Sequence, residues 1–163
     1  MSIRIADGKN YIPQVRELII KYTEQLGRDL SFQHLDDELS GVEKKYTPPN
    51  GELIAAVDND RVIGMVAYRR LTDERCEMKR LYVDPAARGL HLGDKLVKEI
   101  ISYAAAAGYS EMVLDTIEPL RAAVGLYKKN GFSECEPYYD NPMDDVIYMR
   151  KKLQRDGELK NES

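Results

Sequence analysis

The sequence predicts an α/β (α+β) domain built on a mixed central sheet of about six to seven strands, flanked by about four helices. Three observations predict it. Hydrophobic periodicity switches along the chain in the order β-α-α-β-β-β-α-β-α-β-β, with period 2 for strands and 3.6 for helices. The middle of that order holds three β-rich runs joined by tight turns, which pair antiparallel. A strand, a long amphipathic helix and another strand follow, and such a crossover makes parallel neighbours with helices covering the sheet. The chain has 163 residues, no internal repeat and no linker. Residues 1–153 therefore read as one domain against a prior of roughly 100–200 residues per domain.

Each element has a local reason. Ser2–Ala6 alternates as a short strand. Tyr11–Leu26 carries apolar residues at 12, 15, 18, 19, 22 and 26 and ends at Gly27, which is helical spacing with a helix stop,. A weaker helical pattern covers Leu35–Lys45 before the breaker Thr47-Pro48-Pro49-Asn50-Gly51,. Glu52–Val57 and Val62–Leu71 flank Asp58-Asn59-Asp60-Arg61 and read as a hairpin,. Cys76–Val83 is the third strand of this meander, halted by Asp84-Pro85. On it, strict alternation puts Glu77, Lys79, Leu81 and Val83 on one face and Met78, Arg80 and Tyr82 on the other. After Gly93, a stripe of Leu96, Val97, Ile100, Ile101, Ala104 and Ala105 marks a helix that Gly108 stops,. Glu111–Thr116 reads as a buried strand. Pro119–Asn130 reads as a helix with Pro at its start and Gly131 past its end,. Phe132–Glu136 and Val146–Lys152 are the last strands, and residues 154–163 form a polar tail expected to be disordered,.

Composition excludes several classes. With 28 acidic and 24 basic residues, the net charge is −4. That argues against a nucleic-acid binder, whose affinity rests on neutralising phosphates. Cys76 and Cys135 are too few for a disulfide framework, and with only His34 and His91 beside them no metal site is expected,. The N-terminus lacks the apolar core of a signal peptide, and no run approaches the ~20 apolar residues of a membrane span. The expectation is a cytoplasmic protein with neither a nucleic-acid nor a membrane partner.

The most informative stretch is Leu81-Tyr82-Val83-Asp84-Pro85-Ala86-Ala87-Arg88-Gly89-Leu90-His91-Leu92-Gly93-Asp94. A strand ends, a basic and glycine-bearing turn follows, and a long helix starts. The first N–H groups of that helix have no internal partner, and its dipole favours an anion there. Read alone, the glycines fit either a tight turn or a phosphate cradle. The turn is neither a P-loop nor a dinucleotide fingerprint, because GxxxxGK[ST] and GxGxxG are both absent,.

Here the sequence resembles the GNAT N-acetyltransferases. Their signature, Arg/Gln-x-x-Gly-x-Gly/Ala between the fourth strand and the third helix, stands here as Arg88-Gly89-Leu90-His91-Leu92-Gly93. The likeness runs from Cys76-Glu77-Met78-Lys79-Arg80-Leu81-Tyr82-Val83 through Leu126-Tyr127-Lys128-Lys129-Asn130-Gly131-Phe132, and the element order fits over nearly the whole chain. It implies acetyl-CoA as co-substrate and no metal. By the resemblance, the backbone of Leu81, Tyr82 and Val83 pairs with the pantetheine arm, while Arg88 and the amides of Gly89, Leu90, His91, Leu92, Gly93 and Asp94 hold the pyrophosphate. His91 replaces the usual first glycine, and Leu120 stands where many members carry an asparagine. Asp94 adds a negative charge to the first turn. These departures lead us to expect weaker, but retained, CoA binding.

An amine attacks a thioester as the free base, so a proton acceptor is needed, and an acid helps the thiolate leave. Glu77 matches the general base of the family's histone acetyltransferases, or is simply ion-paired to Lys79. Asp115 matches the base of its ribosomal-protein N-terminal acetyltransferases, or caps the turn before Pro119 or orders the pocket. Tyr127 follows Leu120, Ala123 and Val124 at core spacing, and the resemblance makes its hydroxyl the acid facing the CoA sulfur. Tyr138, Tyr139 and Asn141, with Asp144 and Asp145, are candidates for holding an amine, and Asn141-Pro142 can equally be only a turn. Neither cysteine has a histidine partner for a covalent route. The expected activity is direct acetyl transfer to a primary amine of a small molecule. The alternatives are a protein N-terminal or lysine acetyltransferase and a non-catalytic acetyl-CoA-binding module. The resemblance also allows a homodimer through a sheet edge or a terminal strand such as Val146–Lys152.

Overall fold

The computed structural model describes residues 3–27, 41 and 45–153. In chain order it contains β1 (Ile3–Asp7), α1 (Ile12–Leu26), β2 (Gly51–Asp58), β3 (Arg61–Arg70), β4 (Arg75–Val83), α2 (Leu92–Ala106), β5 (Glu111–Ile117), α3 (Arg121–Lys129), β6 (Ser133–Glu134) and β7 (Val146–Lys152). The strands form one seven-stranded sheet in the order β1-β2-β3-β4-β5-β7-β6. All pairings are antiparallel except β4 with β5, which α2 joins as a crossover. This is the mixed sheet that the sequence predicts. The helix expected over Leu35–Lys45 falls on residues 35–40 and 42–44, outside the described residues, as does the tail 154–163.

The strands β2 and β3 are apolar on both faces because both faces are covered. In β2, Ile54 and Ala56 join a core under α2 with Leu96, Val97 and Ile100. Leu53, Ala55 and Val57 point the other way, into a second core with Val15, Leu18 and Ile19 of α1. Each helix stripe is the lid of one core, which gives three layers. Their hairpin closes through Asn59 and Asp60, both at positive φ (47° and 69°), the geometry of a two-residue turn that matches strand twist.

Several boundaries differ from the sequence reading. The strand expected over Phe132–Glu136 shortens to Ser133–Glu134. Phe132 instead closes the end of α3, its N–H donating to the Tyr127 carbonyl at 3.0 Å and its ring edge-on to Tyr127 at 6.0 Å. The helix expected from Pro119 starts at Arg121, because Leu120 has a non-helical ψ of 58°. The helix expected after Gly93 starts at Leu92, with His91 as its N-cap.

The alternation expected along β4 also fails. Register slips between Met65 and Ala67 of β3, which pair with Tyr82 and Lys79. One extra residue therefore sits in β4, at a bulge where Arg80 has φ 62°,. Beyond it the faces exchange. Cys76 and Met78, then Leu81 and Val83, face the α2 core, while Tyr82 packs in the α1 core.

Candidate active site

The bulge matters because of what happens beside it. β4 and β5 pair only at Arg75/Glu111, Cys76/Met112 and Glu77/Val113. Past Glu77 the two strands separate, leaving a cleft of about 560 Å³. Its walls come from β4 (Lys79 to Val83), β5 (Asp115 to Ile117), the start of α3 with Tyr127, and Tyr22 and Gln25 of α1. Parallel strands that part expose unpaired backbone groups on both sides, ready for an extended ligand.

One end of the cleft meets the turn before α2. Asp84 shapes that turn, accepting from Ala86 N–H at 3.0 Å. Gly89 takes φ 91° and His91 φ 57°, so the imidazole-bearing residue holds the left-handed conformation that a glycine adopts freely. No side chain caps α2, and its first N–H groups have no intrahelical partner. Arg88 and Gly93 line the cleft. A Cβ on Gly93 would approach Leu126 Cδ2 to 3.2 Å, so the glycine permits the close packing of α2 on α3. Gly89, Leu90 and His91 form the exposed turn beside the cleft, and Leu92 is buried in the core beneath it. Asp94 is engaged by Lys98, by Asn130 Nδ2 at 3.0 Å and by Lys129 Nζ at 3.7 Å. Hydrogen bonds from Lys98 and Asn130 bring its carboxyl down to about 2. Its charge is thus balanced by the two lysines. Leu120 lines the opposite wall and presents only hydrocarbon to it.

The two candidate carboxylates have different surroundings. Asp115 lines the cleft. It accepts from the Tyr139 hydroxyl and, at 3.5 Å, from Asn141 Nδ2. Burial raises its pKa above the ordinary carboxylate range, against the opposing hydrogen bond from Tyr139, and the Glu77 charge adds to the rise. Glu77 does not line the cleft. It is 2% exposed, with Arg69 Nε at 2.7 Å, the Tyr138 hydroxyl at 2.5 Å and Lys79 Nζ at 4.0 Å. Burial alone would raise its pKa, but Lys79, Tyr138 and Arg69 together outweigh it and hold the carboxyl low.

Tyr138, Tyr139 and Asn141 therefore meet the carboxylates themselves. The rings of Tyr138, Tyr139 and Tyr148 form a cluster with centroids 5.4–5.7 Å apart. Asn141 also donates to the Tyr139 hydroxyl at 2.7 Å and accepts from Met143 N–H at 2.9 Å. Met143 reaches the cleft wall. Tyr127 lies at the cleft, 8% exposed, and burial followed by the nearby Tyr22 and Asp115 pushes its pKa up. A tyrosine held in this way is protonated at neutral pH.

Tyr22 and Arg80 are among the cleft residues that escaped the sequence reading. Tyr22 sits in the α1 stripe as if it were plain core. Its ring packs edge-on to Tyr82 at 5.9 Å, and its hydroxyl lies in a buried place that feels the charges of Arg80 and Asp115. Arg80 is turned into the cleft at the bulge, and nothing in its residue type signals that. Cys76, by contrast, is fully buried, and burial pushes its thiol up to about 12. Among the described residues, no group of His, Cys, Asp and Glu could hold a metal ion, and no helix is long and apolar enough to cross a membrane.

Comparison with known proteins bears on this geometry. The sequence model of the acetyltransferase (GNAT) family matches residues 12–132. An uncharacterized N-acetyltransferase of Schizosaccharomyces pombe is 49% identical over 140 residues, 85% of this chain and 86% of that protein. A GNAT-family acetyltransferase of Staphylococcus aureus superposes with a TM-score of 0.79 at 23% identity, covering 94% of this chain and all of that one. An N-acetyltransferase of Campylobacter jejuni, solved with acetyl coenzyme A, superposes at 0.62 and 22% identity, covering 93% and 99%. With the family model matched over most of its length and nearly half of the 140 aligned residues identical in the Schizosaccharomyces pombe relative, the chain belongs to the GNAT acetyltransferase family.

Proposed function

We propose that this GNAT acetyltransferase passes acetyl from acetyl-CoA directly to the primary amine of a small molecule, in the cleft between β4 and β5. One observation carries the reading. A carboxylate of raised pKa, Asp115, and a buried tyrosine, Tyr127, line the same cleft, into which a basic turn and an uncapped helix also open. The residues present fit a CoA ester. The free edge of β4 suits an amide-bearing arm, and Arg88 with the first turn of α2 suits a pyrophosphate. The co-substrate supplies an activated acetyl thioester.

In this reading Asp115 takes the proton of the attacking amine, and Tyr127 gives its proton to the departing sulfur as the amide bond replaces the thioester. Tyr139 and Asn141 hold the Asp115 carboxyl in place. Glu77 anchors Tyr138, and so the segment that carries Tyr139. It is a positioning residue, because it faces Arg69 and Tyr138 and does not reach the cleft. Acetyl-CoA titration, followed by thiol release with a panel of primary amines, tests the reading. Binding with amine-dependent release supports it, and binding without release to any of these amines would leave a protein acetyltransferase or a non-catalytic acetyl-CoA-binding module.

A further inference from the structure

The β5 wall of the cleft carries a polar group that the proton transfers leave unused. β5 pairs with β7 without a slip from Glu111/Lys152 to Ile117/Val146, so its side chains alternate strictly. Met112 and Leu114 lie in the α2 core, and the same face next presents Thr116. Asp115 points to the other face, where Tyr139 and Asn141 meet it. Both residues lie beyond Val113, the last β5 residue paired with β4, and both line the cleft. Tyr127 belongs to the α2 core and also lines the cleft, so it shares the Thr116 side.

Thr116 is 8% exposed. Tyrosines aside, the buried polar side chains among the described residues are Glu77, Arg80, Asp84 and Thr116. Glu77 accepts from Arg69 and Tyr138, Asp84 accepts from Ala86 N–H, and Arg80 is engaged within the protein. The Thr116 hydroxyl makes no hydrogen bond among the described residues. Its companions on this side of the cleft, Leu120, Ala123 and Leu126, offer only hydrocarbon. A valine would fill the same space, as β-branched as threonine, without burying a hydroxyl. Buried polar groups in native proteins nearly always have a partner, so a lone hydroxyl at a cleft wall points to a bound ligand.

We infer that the Thr116 hydroxyl donates a hydrogen bond to the carbonyl oxygen of the acetyl thioester. This rests on the cleft being the acetyl-transfer site. The amine gives its proton to Asp115 and the sulfur takes one from Tyr127, as the C–N bond forms and the C–S bond breaks. The carbonyl carbon lies between those two events, and negative charge develops on its oxygen. Thr116 adjoins Asp115 in the chain and shares a face with Tyr127, which puts its donor at that oxygen. The hydroxyl gives up no proton. It stabilises charge in a place withdrawn from water, where such a donor counts most.

The test has two readouts. Infrared difference spectra of bound acetyl-CoA, isotope-labelled at the carbonyl, report the hydrogen bond without any acceptor. The carbonyl band should lie at lower frequency on wild type than on Thr116→Val, and Thr116→Ser should keep the wild-type band. In thiol release with an amine that is turned over, Thr116→Val should lower kcat by about 10²-fold, the scale of one oxyanion donor. CoA affinity and the amine KM should change little, and Thr116→Ser should recover most of the rate. Thr116→Val should melt no lower than wild type, because the hydroxyl it removes has no partner in the free protein. The same band on wild type and Thr116→Val overturns the inference and leaves the transferase reading intact. An equal loss of affinity for CoA and acetyl-CoA overturns it too, by assigning the hydroxyl to the pantetheine arm. No binding of acetyl-CoA to wild type removes both readings.

Discussion

Replacing Glu77 with Gln separates a structural carboxylate from a chemical one. The substitution keeps the shape and removes the charge that Arg69, Lys79 and Tyr138 share. Breaking a buried ion pair by neutralising one partner costs about 3–5 kcal/mol. Arg69 keeps 37% of its side-chain surface in water and recovers part of its hydration, and Gln still accepts one hydrogen bond. The loss should therefore fall at the lower end, about 3 kcal/mol, or roughly 6–12 °C in Tm for a domain of this size. The pH dependence has a definite sign. The folded pKa of Glu77 lies below its unfolded value, so its contribution is present above the ordinary carboxylate pKa. It is lost as pH falls through the lower, folded value. Urea melts at pH 7 and in the acid range should show the variant's deficit shrinking as the pH falls. At saturating acceptor, the pH–rate profile of the folded variant should keep its single rise, with the midpoint moved downward because the Glu77 charge no longer raises the Asp115 pKa. A variant as stable as wild type but without activity would refute this reasoning and return Glu77 to the role of base.

Other outcomes follow from the same geometry. Asp115→Asn should lower kcat by about 10²–10⁴-fold, the usual contribution of a positioned base. It should also remove a rise in rate whose midpoint lies above the ordinary carboxylate range, because burial raises the Asp115 pKa. Leu96→Ala, at a fully buried site under the sheet, should cost about 2–5 kcal/mol in denaturant unfolding. His91→Gly relieves a left-handed backbone that costs an ordinary residue about 1–2 kcal/mol, less about 0.5–1 kcal/mol of extra glycine entropy. The variant should be as stable as wild type or slightly more so, and calorimetry should find acetyl-CoA affinity undiminished.

Much of this was legible in the sequence because it rests on period and punctuation. The Asn59-Asp60 turn, the Gly27 and Gly108 helix stops and the two-faced apolar runs of β2 and β3 each report a local physical requirement. The parallel pairing of β4 with β5 follows from the crossover through α2,. What could not be read depends on register. A bulge inserts one residue and exchanges the faces of everything after it, yet Lys79-Arg80-Leu81 carries no glycine to announce one. Tyr22 fits the α1 stripe as well as any core residue, and only the neighbouring cleft gives its hydroxyl a setting. Tyr138 and Tyr139 read as aromatic amine holders. Their hydroxyls instead meet Glu77 and Asp115, contacts made across more than twenty residues that spacing does not encode.

The central claim is that Tyr127 and Asp115 make this cleft a place of acetyl transfer. The most direct measurement is amine-dependent thiol release by wild type and Tyr127→Phe, with acetyl-CoA affinity measured calorimetrically on both. The account predicts unchanged affinity, near the micromolar range (about −8 kcal/mol), and a kcat lowered by about 10²-fold when the proton donor is lost. Equal turnover by the two proteins at equal affinity would contradict it.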